Sequence, residues 1–240
     1  GCYLLAGQPD SSRDLVAEVR DAEALGLGAA FISERYNKKE AGALCGAAGA
    51  ASERIRIITA ATNHNTRHPM VTAGLARTMQ SLTGGRFTLG LGRGIPALQD
   101  AFGIPRITTA ELEDFAGIMR RLFRGEAIFG HDGPSGSWPV LHLDSSLDEH
   151  LPLALVAFGD RTLELAGRCF DDVVLQLPRA TVLGRNPWLE HRTAETLDPS
   201  DPGALLLRGM LLNLLTLAPS LNHHQQVSAL TAIQHLLAAP

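Results

Sequence analysis

The feature that most restricts this chain is an alternation, over residues 1–176, between short apolar runs and stretches with helical periodicity. The runs are residues 1–7 (GCYLLAG), 29–33 (AAFIS), 55–62 (IRIITAAT), 86–90 (RFTLG), 152–158 (PLALVAF) and 172–175 (DVVL). Runs without polar alternation are the pattern of strands covered on both faces, which means a parallel sheet flanked by helices. Between them, Ser11 and Ser12 can cap a helix carrying Leu15, Val19, Ala22 and Leu25, with Gly26 and Gly28 as its stop. An alanine-rich helix is predicted over 40–51. Pro69 opens another, with Val71, Leu75, Met79 and Leu82 on one stripe and Gly84 and Gly85 ending it. Thr108 with Glu111 forms a capping-box pattern ahead of Leu112, Phe115, Met119 and Leu122. Residues 125–150 break the rhythm with Gly130, Gly133, Pro134, Gly136 and Pro139, and predict a small hairpin ending at 140–143. A further helix is expected over 161–169. Two α/β architectures satisfy this order: an eight-fold barrel and an open doubly wound sheet.

Composition narrows the function classes. The net charge is −4 and the basic residues are scattered, so no footprint for nucleic acid is present. The apolar run 211–217 is far shorter than the roughly 20 residues of a membrane span. Residues 1–7 lack the basic start and long apolar stretch of a secretory leader. Cys2, Cys45 and Cys169 are well separated and odd in number, which fits reduced thiols. The expectation is a cytoplasmic enzyme acting on a small molecule.

Both architectures place chemistry just past strand ends. After the second run come Glu34, Arg35, Tyr36 and Asn37, a polar cluster that can equally be a solvated helix cap. After the third come Thr62, Asn63, His64, Asn65, Thr66, Arg67 and His68, donors suited to an anionic or heteroaromatic ligand. Its two histidines lack a third ligand nearby, so no metal site is expected. Gly92, Arg93 and Gly94 follow the fourth run, with glycines that let backbone approach a ligand closely. They do not form the dinucleotide fingerprint, because the third glycine comes one residue early. Gly159, Asp160, Arg161 and Thr162 follow the fifth run at a helix start, where free amides and the helix dipole favour phosphate. Asp160 can also act simply as the cap.

The segment TGGRFTLGLGRG, from Thr83 to Gly94, resembles the signature of the luciferase-like monooxygenase superfamily. Arg67-His68-Pro69 before it, and Leu163 to Arg168 with Asp171-Asp172 after it, extend the resemblance over about residues 1–176. The wording SERYNKKEA, ATNHNTRHPM and GLGRGIPALQDAFG is most similar to the branch that uses the deazaflavin coenzyme F420. The resemblance implies a (β/α)8 TIM barrel holding a tricyclic ring at its mouth. Thr62 and Asn63 would contact the ring, near a distorted third strand where members often hold a non-prolyl cis peptide. Gly92, Arg93 and Gly94 would line the cofactor tail, and Gly159, Asp160, Arg161 and Thr162 would form the phosphate site. Glu34 and Arg35 fall where relatives often carry an acidic residue followed by histidine. A guanidinium is a fixed positive charge near neutral pH, better suited to stabilising a reduced anionic ring than to moving a proton. His64 is the remaining candidate for proton transfer.

The implied function is hydride transfer between coenzyme F420 and a small organic substrate. The alternatives are an FMN-dependent monooxygenase using reduced flavin and oxygen, and a non-catalytic degenerate barrel. Small residues Ala41, Ala43, Gly46, Ala47 and Ala50 allow close helix packing, in a homodimer or against the chain's own barrel. Residues 177–240 do not continue the family's motifs. They read as a loop followed by leucine-rich helices over 204–217 and 225–238, a divergent, truncated or out-of-frame barrel end.

Overall fold

The computed structural model describes residues 1–6, 11–144, 150–157 and 160–175. The expected helices over 204–217 and 225–238 lie outside the described residues. Six parallel strands form one sheet: β1 (Cys2–Tyr3), β2 (Ala29–Ile32), β3 (Arg56–Thr59), β4 (Phe87–Leu91), β7 (Leu153–Ala157) and β8 (Asp172–Leu175). A separate antiparallel pair, β5 (Ile128–Gly133) and β6 (Gly136–Leu141), interrupts the alternation. The sheet order is β1-β2-β3-β4-β7-β8, so every parallel strand pairs with the next one in the chain. A doubly wound sheet reverses direction at a switch point, whereas a barrel does not. The order is therefore that of successive barrel units. All five residues of β4 and of β7 are buried, as expected of strands covered on both faces.

The helices are α1 (Leu15–Ala24), α2 (Ala41–Ala50), α3 (Pro69–Thr83), α4 (Pro96–Phe102), α5 (Thr109–Phe123) and α6 (Asp160–Cys169). α5 follows its sequence pattern closely. Thr108 accepts from the Glu111 amide while the Glu111 carboxylate accepts from Thr108, and Leu112, Phe115, Met119 and Leu122 are all buried. α3 starts at Pro69 and stops at Gly84, whose φ of 59° gives the left-handed turn. Its expected apolar stripe is corrected, however. Val71 is 57% exposed and Leu82 49%, while Thr72, Ala73, Ala76, Met79 and Gln80 turn inward. The sheet side of α3 is lined by small side chains, so the larger aliphatics fall on its outer flanks. Leu25 is likewise corrected: it caps the C-terminus of α1 and is 60% exposed. α4 was not anticipated: its seven residues follow Gly94 in a stretch to which the sequence pattern assigned no element.

The hairpin docks on α5. Asp114 accepts from the Ser135 amide at 3.0 Å and contacts His131 Nε2 at 3.1 Å, so the β5–β6 turn is tied to the helix. His131 in turn stacks on Trp138, its cross-strand partner, with centroids 5.5 Å apart.

Candidate active site

Glu34 lies two residues past the end of β2. Its amide donates to the Ala61 carbonyl at 3.0 Å, which joins the β2 and β3 exits. One carboxylate oxygen accepts from the first amide of α2, Ala41, at 3.1 Å. The other accepts from Thr62 Oγ1 at 3.3 Å and meets Arg67 Nη2 at 3.5 Å. A helix N-terminus and a guanidinium thus balance this half-buried charge. Arg67 also pairs with Glu40, the cap of α2. Arg35 is half-buried, and its guanidinium reaches the Glu34 carbonyl at 3.3 Å. Beyond it, Lys39 is buried and donates to the Leu5 carbonyl at 2.7 Å. Burial, reinforced by Arg35, lowers the Lys39 pKa.

The chain past β3 passes through a cis peptide between Ala60 and Ala61, where the family resemblance leads one to expect it. Thr62 then bridges to Leu91, donating its amide to Gly90 and accepting from the Gly92 amide. Asn63 is buried and fully engaged. Its Nδ2 donates to the Gly92 carbonyl at 2.7 Å, and its Oδ1 accepts from the Tyr36 hydroxyl at 2.6 Å. Burial pushes the Tyr36 phenol up, so it remains a donor at neutral pH. Gln99 on α4 closes the ring by donating to the Arg93 carbonyl at 2.6 Å. Glu34, Thr62, Asn63 and the 92–94 loop are therefore brought together at the exits of β2, β3 and β4.

The glycines of that loop have a specific reason to be glycine. A Cβ on Gly90 would lie 1.8 Å from the Thr59 carbonyl oxygen, and one on Gly92 2.7 Å from Ala61 Cβ. At Gly94, with φ of 78°, it would meet Gln99, Tyr36 and Asn63 within 3.2 Å. On the side where a Cβ would stand, the protein's own chain is packed against these glycines. Arg93 turns its guanidinium to the Ile107 carbonyl at 2.8 Å and to Thr109, fastening the start of α5.

His64 does not join this cluster. Its ring stacks on Phe115 of α5 with centroids 5.1 Å apart, it is only 6% exposed, and its Nε2 has no partner. Burial lowers its pKa despite the opposing pull of Glu111 and Asp114. α6 begins at Asp160 directly after the β7 exit, with Arg161 exposed and Thr162 half-buried. Gly159 lies outside the described residues. Sequence reading named Tyr36 only as part of a polar cluster and missed Gln99, which shows no pattern until α4 is placed.

Two cavities adjoin the loop from His64 to Arg67. One, of about 600 Å³, is lined by Glu34, Tyr36, Lys39 and Ile104; the other, of about 520 Å³, by His64, Asn65, Phe115 and Trp138. Thr66 and Arg67 stand in both walls.

Residues 1–195 match the family model described as luciferase-like monooxygenase. A 5,10-methylenetetrahydromethanopterin reductase of Methanolobus tindarius is 30% identical over 158 residues, covering 64% of this chain and 47% of that protein. An F420-dependent glucose-6-phosphate dehydrogenase of Beutenbergia cavernae is 29% identical over 185 residues, covering 72% and 55%. The chain thus spans about half the length of these curated relatives. Among solved structures, the coenzyme F420-dependent tetrahydromethanopterin reductase from Methanopyrus kandleri superposes with a TM-score of 0.65 at 21% identity, covering 73% of this chain and 55% of that one.

Proposed function

This chain belongs to the luciferase-like monooxygenase family, and on that premise we propose that it transfers a hydride between coenzyme F420 and a small organic substrate. The observation that carries the reading is the convergence of Glu34, Thr62 and Asn63 on the glycine loop at three adjacent strand exits. It is supported by curated relatives named for F420-dependent chemistry. Bound at the mouth, the deazaflavin would supply the hydride chemistry itself. The residues fit such a group. A cavity of about 600 Å³ falls within the range of roughly 300–1,000 Å³ typical of small-molecule sites. Its wall includes the Tyr36 ring and the Arg67 guanidinium, the phenol held by Asn63 and the guanidinium by Glu34 and Glu40.

In this reading Thr62 and Asn63 present the ring's contact surface, and Glu34 is a positioning residue acting through Thr62 and Arg67. Arg35 supplies fixed positive charge near the ring. Gly92, Arg93 and Gly94 contribute backbone to the cofactor tail, with the Arg93 side chain holding the loop from behind. Asp160, Arg161 and Thr162, with Gly159, receive the phosphate at the start of α6. His64 moves the proton: its Nε2 is unpartnered, and burial favours the neutral imidazole that can accept one. Residues 1–176 form the first six barrel units and 177–240 a divergent end.

The test is titration of the purified chain with coenzyme F420 and, separately, with FMN, following each cofactor's own fluorescence. Saturable binding of F420 in preference to FMN is the expected result. Preference for FMN moves the assignment to a monooxygenase, and binding of neither leaves a non-catalytic barrel. We further propose a cytoplasmic homodimer. All three cysteines are unpaired, and Ala43, Ala47 and Ala50 of α2 are exposed, as is Val71 of α3, whereas Ala41 is buried. Sedimentation of Ala47→Glu as a monomer, where the parent chain sediments as a dimer, would support that interface.

A further inference from the structure

α4 and α5 follow one another in the chain and are anchored by opposite means. α5 buries seven side chains, all of them apolar. α4 buries one, and it is polar: Gln99, 1% exposed. The apolar residues at the two ends of α4, Ile95 and Phe102, are exposed instead. A helix of seven residues has little stability of its own, since isolated helices shorter than about 12 residues are marginal in water. Few buried apolar contacts mark a segment that opens locally while the core stays folded.

The one buried anchor leads to the proposed cofactor contacts. Gln99 Nε2 donates to the Arg93 carbonyl at 2.6 Å, and the Gln99 side chain also bonds the Tyr36 hydroxyl, which donates to Asn63. The Gln99 backbone carbonyl accepts from the Ile104 amide at 2.9 Å, and Ile104 stands with Tyr36 in the wall of the cavity of about 600 Å³. Undocking α4 would release the Arg93 carbonyl and the Tyr36 hydroxyl and draw Ile104 out of that wall.

The ends of this segment are built to turn. Gly94, just before Ile95, and Gly103, just after Phe102, have φ of 78° and 65°. A Cβ on Gly103 would meet nothing within 4 Å, so glycine there serves the backbone and not the packing. Hinges are ordinarily a few such positions at the ends of a moving element. Past Gly103 the chain is fixed again, because Asn65 donates to the Pro105 carbonyl and Arg93 to the Ile107 carbonyl. The Asp100–Arg106 ion pair spans the second hinge, but it is exposed and such pairs hold little.

From the lone polar anchor and the paired glycines we propose that α4 is a hinged lid on the cofactor site. Gln99 is its latch, a positioning residue acting through Tyr36, Asn63 and the glycine loop. Open, the lid uncovers the cavity for entry; closed, it restores the wall and holds Asn63 in place. The lid's role rests on the cofactor reading, whereas its hinging does not.

The test is hydrogen–deuterium exchange of the full chain by mass spectrometry, with and without coenzyme F420, joined to stopped-flow binding of F420. Without cofactor, the amides of residues 98–104 should exchange faster than those of α5, and saturating F420 should slow them at least fivefold. Gln99→Met keeps the bulk and removes the hydrogen bonds. It should speed exchange over 98–104 about tenfold, as loss of one hydrogen bond of roughly 1.4 kcal/mol would give, and leave α5 unchanged. F420 should leave the variant about tenfold faster and enter it no more slowly, a split that a general loss of stability does not produce. The parent comparison needs no substitution, so it carries the test if Gln99→Met does not fold. Exchange over 98–104 as slow as in α5, exchange unmoved by bound F420, or a variant with the parent's exchange and dissociation rate would each overturn the lid with the cofactor reading intact. Failure of the parent to bind F420 would overturn both.

Discussion

At the N-terminal ends of the strands, Arg86 donates to the carbonyls of Gly49, Ser52, Ile55 and Thr83 and to the Ser52 hydroxyl. Nearby, the Glu23 carboxylate accepts from the successive amides of residues 53, 54 and 55. At the C-terminal ends, two cavities adjoin the His64–Arg67 loop, and His64 Nε2 and Asn65 Oδ1 are buried without a partner. One end of the sheet spends its polar side chains closing helix and strand termini. The other carries a hydrogen-bonded cluster of Glu34, Thr62, Asn63 and Tyr36 beside open volume. In barrels of parallel strands the C-terminal ends ordinarily carry the chemistry and the N-terminal ends serve stability, and the contrast here runs the same way.

Substitutions can break that contrast. The largest effect is expected where β3 and β4 touch toward the mouth. Gly90→Ala forces a Cβ against the Thr59 carbonyl, so the loss should exceed about 4 kcal/mol, seen as failure to melt cooperatively. Arg86→Ala leaves several carbonyls unanswered and should cost about 3 kcal/mol in a urea titration. It should leave cofactor affinity of the remaining folded protein unchanged. Tyr36→Phe inverts that pattern. It removes one hydrogen bond, about 1 kcal/mol of stability, yet frees Asn63 and should weaken F420 binding about tenfold by fluorescence titration.

The smallest expected effect is a pH slope. Burial holds His64 below its ordinary pKa of 6.5, so between that value and its folded pKa the unfolded chain binds the extra proton. Stability should be full above 6.5 and decline as pH falls through this window. Urea midpoints of the parent and His64→Phe, measured across mildly acidic pH, should show the slope only in the parent.

These two ends were not equally legible in the sequence. The order of elements was, because apolar runs and caps such as Thr108–Glu111 are local signals. The inward face of α3 was not, since it is made of Thr72, Ala73 and Ala76, residues whose hydrophobicity does not set them apart. At the mouth, Thr62 and Asn63 stood out as polar residues after an apolar run. Their partners did not, because Tyr36, Gln99 and Gly92 lie 27, 36 and 29 positions from Asn63 and meet it or its loop only in three dimensions. The glycine run reads in sequence as close backbone approach to a ligand; the structure adds that Thr59, Ala61 and Gln99 crowd the side where a Cβ would stand. Periodicity reports which face is buried, and it is silent on what the face is buried against.

The crowding at Gly90 and Gly92 has a genetic meaning as well. Every amino-acid replacement of a glycine adds a Cβ, so no missense change at these codons avoids the Thr59 carbonyl or Ala61. At Gly46, Gly74 and Gly117 the same added atom meets nothing within 4 Å. A library of all single variants would therefore record the first two as fixed positions and the last three as free ones, although all five carry the same letter.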